Sequence, residues 1–398
     1  MAQDISPELA AQARRQLQHP RLSATLWELL GAPSAARPNA AVGTELHPAC
    51  QMLAHSLRAH QDAALAVSQY FGIALQHYHT AADVIARLKK SYGKSQPDPK
   101  ILDFACGYGR LLNLLIHNVP AERIWASEIQ PDAVSFVTDR FGVHGLQSTE
   151  RPEDFDPGER FDLIWVASLF SHLPPGLFER WLKRLTGLLT PQGIMLFTTH
   201  DQALLTEGMD MPESGILFIE SSENADLSTE IYGTTVVTER YVRAAVAGIF
   251  DEQRACIRLP RLINYGQDAY VVGGSPARDL NAFGDIPRGP RGWLDEYGIT
   301  DGTLYLAGWS ASMDEDAQQV DLEIMLDDQL QPCTTGEPRP RVAEVLARPG
   351  LSHCGWSATI ELPRDRGECY LRIIASDDRG RRALIFAGAL DIPKAEGQ

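Results

Sequence analysis

The sequence has little positive charge, no long apolar run and no signal-peptide pattern. Its 36 Lys and Arg residues are outnumbered by 52 Asp and Glu residues, so the net charge is -16 at pH 7. Nucleic acids and anionic membranes are bound by basic faces, so this charge argues against a nucleic-acid partner. No apolar run approaches membrane-spanning length, and no basic segment leads into one at the start of the sequence. We therefore expect a cytoplasmic protein without membrane insertion.

The cysteines are few and scattered. Six occur, at positions 50, 106, 256, 333, 354 and 369, and none forms a C-x-x-C pair. This spacing resembles neither a zinc site nor a disulfide framework, so free thiols in a reducing compartment are expected. No other cluster of metal-ligand residues is visible, and no metal site is predicted.

The length and the change of pattern along the chain indicate more than one domain. A chain of 398 residues is too long for one ordinary core. Strands alternate with helices in the middle of the chain, whereas period-two strands follow a segment rich in Gly, Pro and Arg. The predicted divisions are a helical extension (1–90), an α/β domain (91–275), a linker (276–299) and an antiparallel β-sandwich (300–392).

The α/β domain is predicted to contain a mostly parallel, Rossmann-like sheet. Buried strands are expected at 101–104, 123–127, 161–166 and 194–199, with helices between them. Ligands of such sheets bind at the carboxyl ends of the strands. Residues 201–237 form a long connection with a hairpin pattern, 215–221 with 230–237, which suggests a lid or an acceptor-binding insert.

A glycine-rich turn follows the first of these strands. Residues 105–109 read Ala-Cys-Gly-Tyr-Gly and precede a helical pattern over 110–116. The turn is flanked by Asp103 and by Glu128, which ends the next strand. A carboxylate at Asp103 would repel a pyrophosphate, whereas a carboxylate at Glu128 can accept both hydroxyls of a ribose. An acid at each strand end, with no basic phosphate clamp, is typical of a site for a nucleoside that carries an amino acid.

Residues 70–273 resemble the class I S-adenosylmethionine-dependent methyltransferases. The resemblance lies in ILDFACGYGR (101–110), Glu128, FDLIWVASLFSHL (161–173) and LLTPQGIMLFTTH (188–200). It implies a sheet that ends in an antiparallel strand, with Asp103 and the 105–109 turn at the methionine part and Glu128 at the ribose. The family usually has glycine where this chain has Ala105. The expected cofactor-binding residues are Asp103, Phe104, Ala105, Cys106, Gly107, Gly109, Arg110, Glu128, Ile129 and Ala167.

Methyl transfer from a sulfonium requires alignment of the acceptor and, for an oxygen acceptor, a base. His172 directly follows the strand 161–166 and is the first candidate for that base, with a packing or capping role as the alternative. His200 is the second candidate. The histidines and tyrosine of the preceding helical segment, His77, Tyr78 and His79, are further candidates for the acceptor pocket, although packing on the sheet would also explain them.

The C-terminal strands resemble a β-sandwich module that is appended to bacterial enzymes of surface polysaccharides. Trp309 and Trp356 could stack on sugars there, but core packing is the expected role. The acceptor is therefore expected to be a carbohydrate or another small molecule, with no readable signal for oligomeric state. A non-catalytic S-adenosylmethionine-binding or scaffold protein, favoured by Ala105, and a nicotinamide-dependent oxidoreductase remain the alternatives.

Overall fold

A computed structural model describes residues 5–31, 41–92, 97–220, 228–249, 254–264, 266–314, 320–363 and 365–393. Its helices are α1 Pro7–Gln18, α2 Pro20–Leu29, α3 Gln51–His60, α4 Ala63–Tyr92, α5 Leu112–Leu115, α6 Pro131–Phe141, α7 Pro175–Thr186, α8 Glu239–Ile249 and α9 Pro340–Val345. Its strands are β1 Ile101–Phe104, β2 Ile124–Glu128, β3 His144–Gln147, β4 Phe161–Val166, β5 Leu189–Asp201, β6 Ile216–Ile219, β7 Thr234–Val237, β8 Cys256–Ile263, β9 Gln267–Gly273, β10 Pro290–Thr300, β11 Thr303–Ser312, β12 Val320–Leu326, β13 Gln329–Gln331, β14 Thr334–Glu337, β15 Gly355–Glu361, β16 Glu368–Asp377 and β17 Arg382–Asp391. Two compact units result, one formed by Met1–Gln76 with Arg288–Gln398 and one by His77–Pro287.

The unit of residues 77–287 is built on a mostly parallel sheet. Strands β3, β2, β1, β4 and β5 are neighbours in that order, and each pair is parallel. Strand β9 runs antiparallel beside β5, and β8 pairs with β9. All four residues of β1 are buried, as expected for a parallel strand that is covered on both faces. The predicted Rossmann-like sheet with an antiparallel last strand is confirmed.

The helices of this unit begin and end at residues that favour those positions. Helix α6 has Pro131 in its first turn and ends before Gly142, whose φ of 68° is accessible to glycine at low cost. Helix α7 begins at Pro175 and turns Phe178, Trp181 and Leu182 towards the sheet core. The amphipathic spacing of these side chains therefore fixes which face of α7 is buried.

Strands β6 and β7 extend the same sheet. They pair antiparallel with each other, and β7 pairs in parallel with β5 at His200 and Asp201. The β4–β5 pairing ends earlier, at Val166 and Phe197. On the opposite edge of β5, His200 pairs with Gln267 of β9. Strand β7 therefore lies on the same edge of β5 as β4, beyond the end of β4. The predicted hairpin pairing is confirmed for these strands, and the predicted end at Ser221 lies outside the described residues.

The other unit contains two antiparallel four-stranded sheets. Their strand orders are β10-β11-β15-β14 and β13-β12-β16-β17. Buried side chains of both sheets share one core, with Leu306, Ile324, Trp356, Leu371 and Phe386 among them. Trp356 is fully buried, so its role is packing, as expected. The two sheets form the β-sandwich that the period-two pattern predicts.

The unit boundaries differ from those expected from the sequence. Strand β10 begins at Pro290, inside the segment that the sequence indicates as a linker (276–299). The helical segment before residue 77 belongs to the same unit as the sandwich rather than forming an extension of its own. The Gly, Pro and Arg content of 276–299 hides β10, because proline and glycine also occur in edge and irregular strands. No helix among the described residues is long and apolar enough to cross a membrane.

Side chains from the N-terminal helices cover the edge strand β17. The Gln16 side-chain amide donates to the Ala389 carbonyl at 2.8 Å, and the Ala389 N–H donates to Gln16 Oε1 at 2.8 Å. Ser68 repeats this arrangement at Ala387, at 3.1 and 2.9 Å. An uncovered edge would leave these backbone groups open to pairing with another chain. The helices therefore complete the sandwich.

Candidate functional site

The loop after β1 has an unusual backbone. Ala105, Gly107 and Gly109 all have positive φ, at 58°, 55° and 78°. Glycine reaches this region freely, whereas an L-residue such as Ala105 is strained there by about 1–2 kcal/mol. Ala105 thus has a left-handed conformation that favours glycine, at the position where the resembled family usually has glycine.

The two glycines of the loop have different roles. A Cβ at Gly109 would lie 2.5 Å from the Phe141 ring and 3.2 Å from Val137 Cγ1, both on α6. A Cβ at Gly107 would meet nothing within 4 Å. Gly109 is therefore required for close packing of the loop on α6, while Gly107 leaves space beside the loop.

The helix that the pattern predicts over 110–116 is shorter in the structure. Helix α5 contains only Leu112–Leu115, and turns precede and follow it. Pro120 disfavours helical conformation at the residue before it, and this limits α5 on its C-terminal side. Free N–H groups at the start of a long helix are therefore not part of this site, and the loop itself supplies the backbone donors.

Two carboxyl groups lie at the ends of β1 and β2, and that of Glu128 is half-buried. Glu128 Oε2 accepts from the Gly107 N–H at 2.8 Å, and Oε1 accepts from the Ile129 N–H at 2.7 Å. Asp103 is buried, and its Oδ2 has no hydrogen-bond partner among the described residues. Glu128 thus holds the loop by a hydrogen bond to its backbone. Asp103 Oδ2 could accept a hydrogen bond from a bound ligand.

Burial raises the pKa of both carboxyl groups. The pKa of Asp103 rises to about 8, first because of burial and second because of the nearby Glu128 charge, and Arg110 opposes the rise. Burial also raises the pKa of Glu128, and the backbone donors of Ile129 and Gly107 oppose it. Two carboxyl groups in one buried site favour a cationic or hydrogen-bond-donating ligand.

The remaining predicted cofactor residues surround the same loop. The Cys106 N–H donates to the Ser127 carbonyl at 3.1 Å and holds the loop against β2. Burial raises the pKa of the Cys106 thiol well above its usual value, so the group stays neutral. Phe104 instead packs in the core, with ring centroids 5.2 Å from Phe155 and 4.8 Å from Trp181. Its side chain is therefore a core element, and its contact with the cofactor stays a prediction.

A second set of polar residues follows β4. Ala167 is half-buried, and Ser168 has a φ of 62°. The Ser168 N–H donates to Thr198 Oγ1 at 2.8 Å, and Gln267 Nε2 donates to Ser168 Oγ at 2.9 Å. Backbone strain held in place by buried partners is frequent at functional sites. Sequence reasoning missed Gln267, whose only signal is its position at the start of the closing antiparallel strand.

His172 lies in this second set and contacts the β6–β7 pair. Its Nδ1 is 2.7 Å from the Gly233 carbonyl oxygen, and its ring stacks on Tyr232 with centroids 4.6 Å apart. The His200 ring is 6.3 Å away. The structure thus brings both predicted base candidates together. Tyr232 was missed, because residues sixty positions apart give no local signal of contact.

His77 and Tyr78 of α4 are buried side chains that pack inside the protein. His77 is buried, and its ring is 6.1 Å from Trp165 of β4. Tyr78 is also buried, and burial raises its pKa. The packing alternative for these residues therefore explains their positions better than a place in the acceptor pocket.

Three comparisons bear on the family. Residues 74–228 match the family model described as a methyltransferase domain. The malonyl-[acyl-carrier protein] O-methyltransferase of Prosthecochloris aestuarii (strain DSM 271 / SK 413) is 21% identical over 187 residues, which are 44% of this chain and 68% of that protein.

Solved structures of similar fold include complexes with S-adenosylhomocysteine (SAH). The plantazolicin methyltransferase BpumL with SAH has a TM-score of 0.36 and 14% identity, over 56% of this chain and 94% of that chain. The DhpI–SAH complex has a TM-score of 0.32 and 14% identity, over 44% of this chain and 76% of that chain. A Burkholderia thailandensis 1,6-didemethyltoxoflavin-N1-methyltransferase has a TM-score of 0.33 and 16% identity, over 50% of this chain and 78% of that chain.

The match of residues 74–228 and the sheet order agree with the resemblance noted in the sequence. The unit of residues 77–287 has a Rossmann-like fold, and it contains nearly all of the segment that matches the methyltransferase-domain model.

Proposed function

We propose that the protein transfers the methyl group of S-adenosylmethionine to an oxygen atom of a sugar, glycan or other small metabolite. The observation that carries the proposal is the pair of carboxyl groups, the buried Asp103 and the half-buried Glu128, on either side of the left-handed loop. Backbone N–H groups donate to Glu128, and Asp103 Oδ2 has no partner among the described residues, so the pair suits a cation and sugar hydroxyls rather than a phosphate.

The residues in and beside the loop contact different parts of the cofactor. Asp103 Oδ2 accepts from the ammonium group of the methionine part, which supplies the donor that this buried oxygen lacks. Glu128 accepts from the ribose hydroxyls, and Gly107 gives the ligand room beside the loop. The bound cofactor supplies a methyl group that its sulfonium already activates. The remaining expected residues, Ala105, Cys106, Gly109, Arg110, Ile129 and Ala167, shape this pocket through the loop and the ends of β2 and β4.

His172 acts as the general base for a hydroxyl acceptor. It follows β4 at the carboxyl ends of the parallel strands, where ligands of such sheets bind. A hydroxyl needs its proton removed as it attacks, and a neutral imidazole has a suitable pKa for this. The relative from P. aestuarii carries the name O-methyltransferase, which supports an oxygen acceptor.

The carbohydrate class of the acceptor rests on two features of the chain. The net charge of -16 disfavours polyanionic acceptors. The antiparallel sandwich of residues 290–391 has the architecture of the module that the sequence resembles in surface-polysaccharide enzymes. The proposed site of action is the cytoplasm, whose reducing conditions suit the scattered, unpaired cysteines.

Calorimetry with SAH tests the cofactor site. Loss of a bidentate charged hydrogen bond costs on the order of 2–3 kcal/mol, so Glu128→Ala should weaken binding by roughly 30- to 150-fold. Glu122→Ala is the matched control, because Glu122 is an exposed carboxylate just before β2. Equal affinity of folded Glu128→Ala and Glu122→Ala would contradict the proposal.

Ala105 favours a second candidate, a scaffold protein that binds the cofactor without catalysis. This alanine, with its strained φ of 58°, stands where the resembled family usually has glycine. A panel of sugar, glycan and carboxylic-acid acceptors, assayed with radiolabelled S-adenosylmethionine, separates the two. Methyl transfer that falls about 10²- to 10⁴-fold in His172→Gln supports the enzyme with this base. Tight SAH binding with no transfer to any acceptor of the panel supports the scaffold.

A further inference from the structure

The β6–β7 pair holds the segment that carries His172 by its backbone. The Gly233 N–H donates to the His172 carbonyl at 2.8 Å, and the Thr235 N–H donates to the Ser171 carbonyl at 2.7 Å. The buried Thr235 hydroxyl donates to the Leu173 carbonyl at 2.6 Å. Three consecutive residues of the segment are thus tied to Gly233 and Thr235, at the start of β7, so the His172 main chain has little freedom to move.

Gly233 brings its carbonyl group to the imidazole. A Cβ at this position would collide with the Ile219 carbonyl oxygen and lie 2.7 Å from the Phe218 ring. A side chain would therefore push the strand away from β6 and shift the carbonyl that faces His172. The contact with the imidazole depends on glycine at this position.

The hydrogen bond between Gly233 and His172 selects one form of the ring. A carbonyl oxygen can only accept, so the 2.7 Å contact places a proton on His172 Nδ1. In the neutral ring the lone pair is then on Nε2. Tyr232 stacks on the ring with an interplanar angle of 14° and restrains the ring rotation that would move Nδ1 away from the Gly233 carbonyl.

We propose that Tyr232 and Gly233 are positioning residues, which hold His172 as the Nδ1–H tautomer and present the Nε2 lone pair to the acceptor. The inference rests on the proposed role of His172 as base. In that step the acceptor O–H bond breaks and an Nε2–H bond forms, while Nδ1–H stays bonded to Gly233. The oxygen electron pair forms the new C–O bond to the methyl carbon, and the electron pair of the broken C–S bond goes to sulfur.

This assignment can be tested without knowing the acceptor. In the full chain labelled with ¹⁵N-histidine, long-range ¹H–¹⁵N spectra distinguish the two tautomers of each ring, and His172→Gln identifies the His172 signals. We expect the Nδ1–H pattern for His172 at a pH where the ring is neutral, with and without SAH. An Nε2–H pattern for His172 would overturn the proposal.

Variants of Tyr232 test the contribution of the stack. Tyr232→Phe should keep the tautomer, because the aromatic face is retained. Tyr232→Ala should lower the ratio of Nδ1–H to Nε2–H by about three- to tenfold, the range that one aromatic pair can support. Tyr305→Ala is the control, since Tyr305 is an exposed tyrosine of the sandwich. If Tyr232→Ala unfolds, Tyr232→Leu replaces it, and an unchanged tautomer ratio in the folded variant would refute a role for Tyr232.

SAH affinity separates this proposal from the proposed function. Tyr232→Ala should bind SAH within about twofold of the wild type, because Tyr232 is placed at the imidazole and not at the 105–109 loop. Affinity that falls tenfold or more in this variant would assign Tyr232 to the cofactor site and overturn its positioning role. Failure of the wild type to bind SAH would instead contradict the proposed function, while the tautomer result would stand.

Discussion

Replacing Asp103 with asparagine is expected to stabilise the ligand-free protein and to weaken cofactor binding. Asparagine has nearly the same volume, but it cannot ionise in the buried site beside Glu128. The wild-type carboxyl has a native pKa of about 8, against a usual value of 3.8. The native state therefore holds a proton between these pH values that the unfolded state has already released.

The sign of the pH dependence follows from this difference. Stability falls with rising pH wherever the native state binds more protons than the unfolded state. Asp103 consequently lowers the free energy of unfolding progressively from about pH 4 to about pH 8. Asp103→Asn lacks this loss, so its advantage over the wild type should be absent near pH 4 and largest at pH 8 and above.

The magnitude can be bounded from the same pKa values. A difference of about four units corresponds to at most ~6 kcal/mol, at 1.36 kcal/mol per unit. Water entry and relaxation of the protein reduce the energetic effect of a buried charge. Stabilising substitutions commonly raise the free energy of unfolding by about 0.5–2 kcal/mol. We expect a gain of about 1–2 kcal/mol at pH 8. For a unit of this size that gain is roughly a 2–8 °C rise in Tm.

Thermal and urea denaturation at pH 5 and pH 8, with SAH calorimetry, test this prediction. Asp139→Asn is the control, because Asp139 is an exposed carboxylate on α6. Binding of a cation requires ionised Asp103, so wild-type affinity for S-adenosylmethionine should rise with pH up to about 8. Asp103→Asn should lose this rise. A variant less stable than the wild type at pH 8, or with wild-type affinity, would refute the reasoning.

Three further substitutions test other parts of the structure by urea denaturation. Gly109→Ala should cost about 1–3 kcal/mol, because its φ is 78° and its new methyl group would meet Phe141; an unchanged midpoint would show that the loop adapts. Arg258→Ala should lower the free energy of unfolding by about 3–5 kcal/mol, because Arg258 Nη2 lies 2.6 Å from the buried carboxylate of Asp268. A loss under about 1 kcal/mol would mean that Asp268 is neutral. Ser68→Ala should cost about 1–3 kcal/mol and promote association, because it uncovers two backbone groups of β17; sedimentation at wild-type values would argue against this.

The features that the sequence predicts well are those encoded within short segments. The buried run of β1, the turn after it and Glu128 at the end of β2 need only local spacing to be recognised. Parallel strands place their carboxyl ends at one edge, so the meeting of Asp103 and Glu128 follows from topology. The positive φ of Ala105 agrees with the family pattern, which supplies glycine at that position.

The features that the sequence does not predict depend on distant partners. Tyr232 and Gln267 join the site through pairings of β7 and β9 with β5, which no local pattern reveals. Phe104 reads as a ligand contact from its place in the motif, but Trp181 on α7 draws its ring into the core. The division of the chain also escaped prediction, because hydrogen bonds such as that of Gln16 with Ala389 link residues 373 positions apart.

The covered edge of β17 has a consequence for the order in which the chain folds. During synthesis α1 emerges before the domain of residues 77–287, whereas its partner strand β17 emerges after that domain. The domain of residues 77–287 is continuous and can complete its own core, but Gln16 and Ser68 must wait for β17. Closure across such sequence separations is slow. The early helices therefore pass through a period with unburied apolar faces, when chaperone binding would matter most.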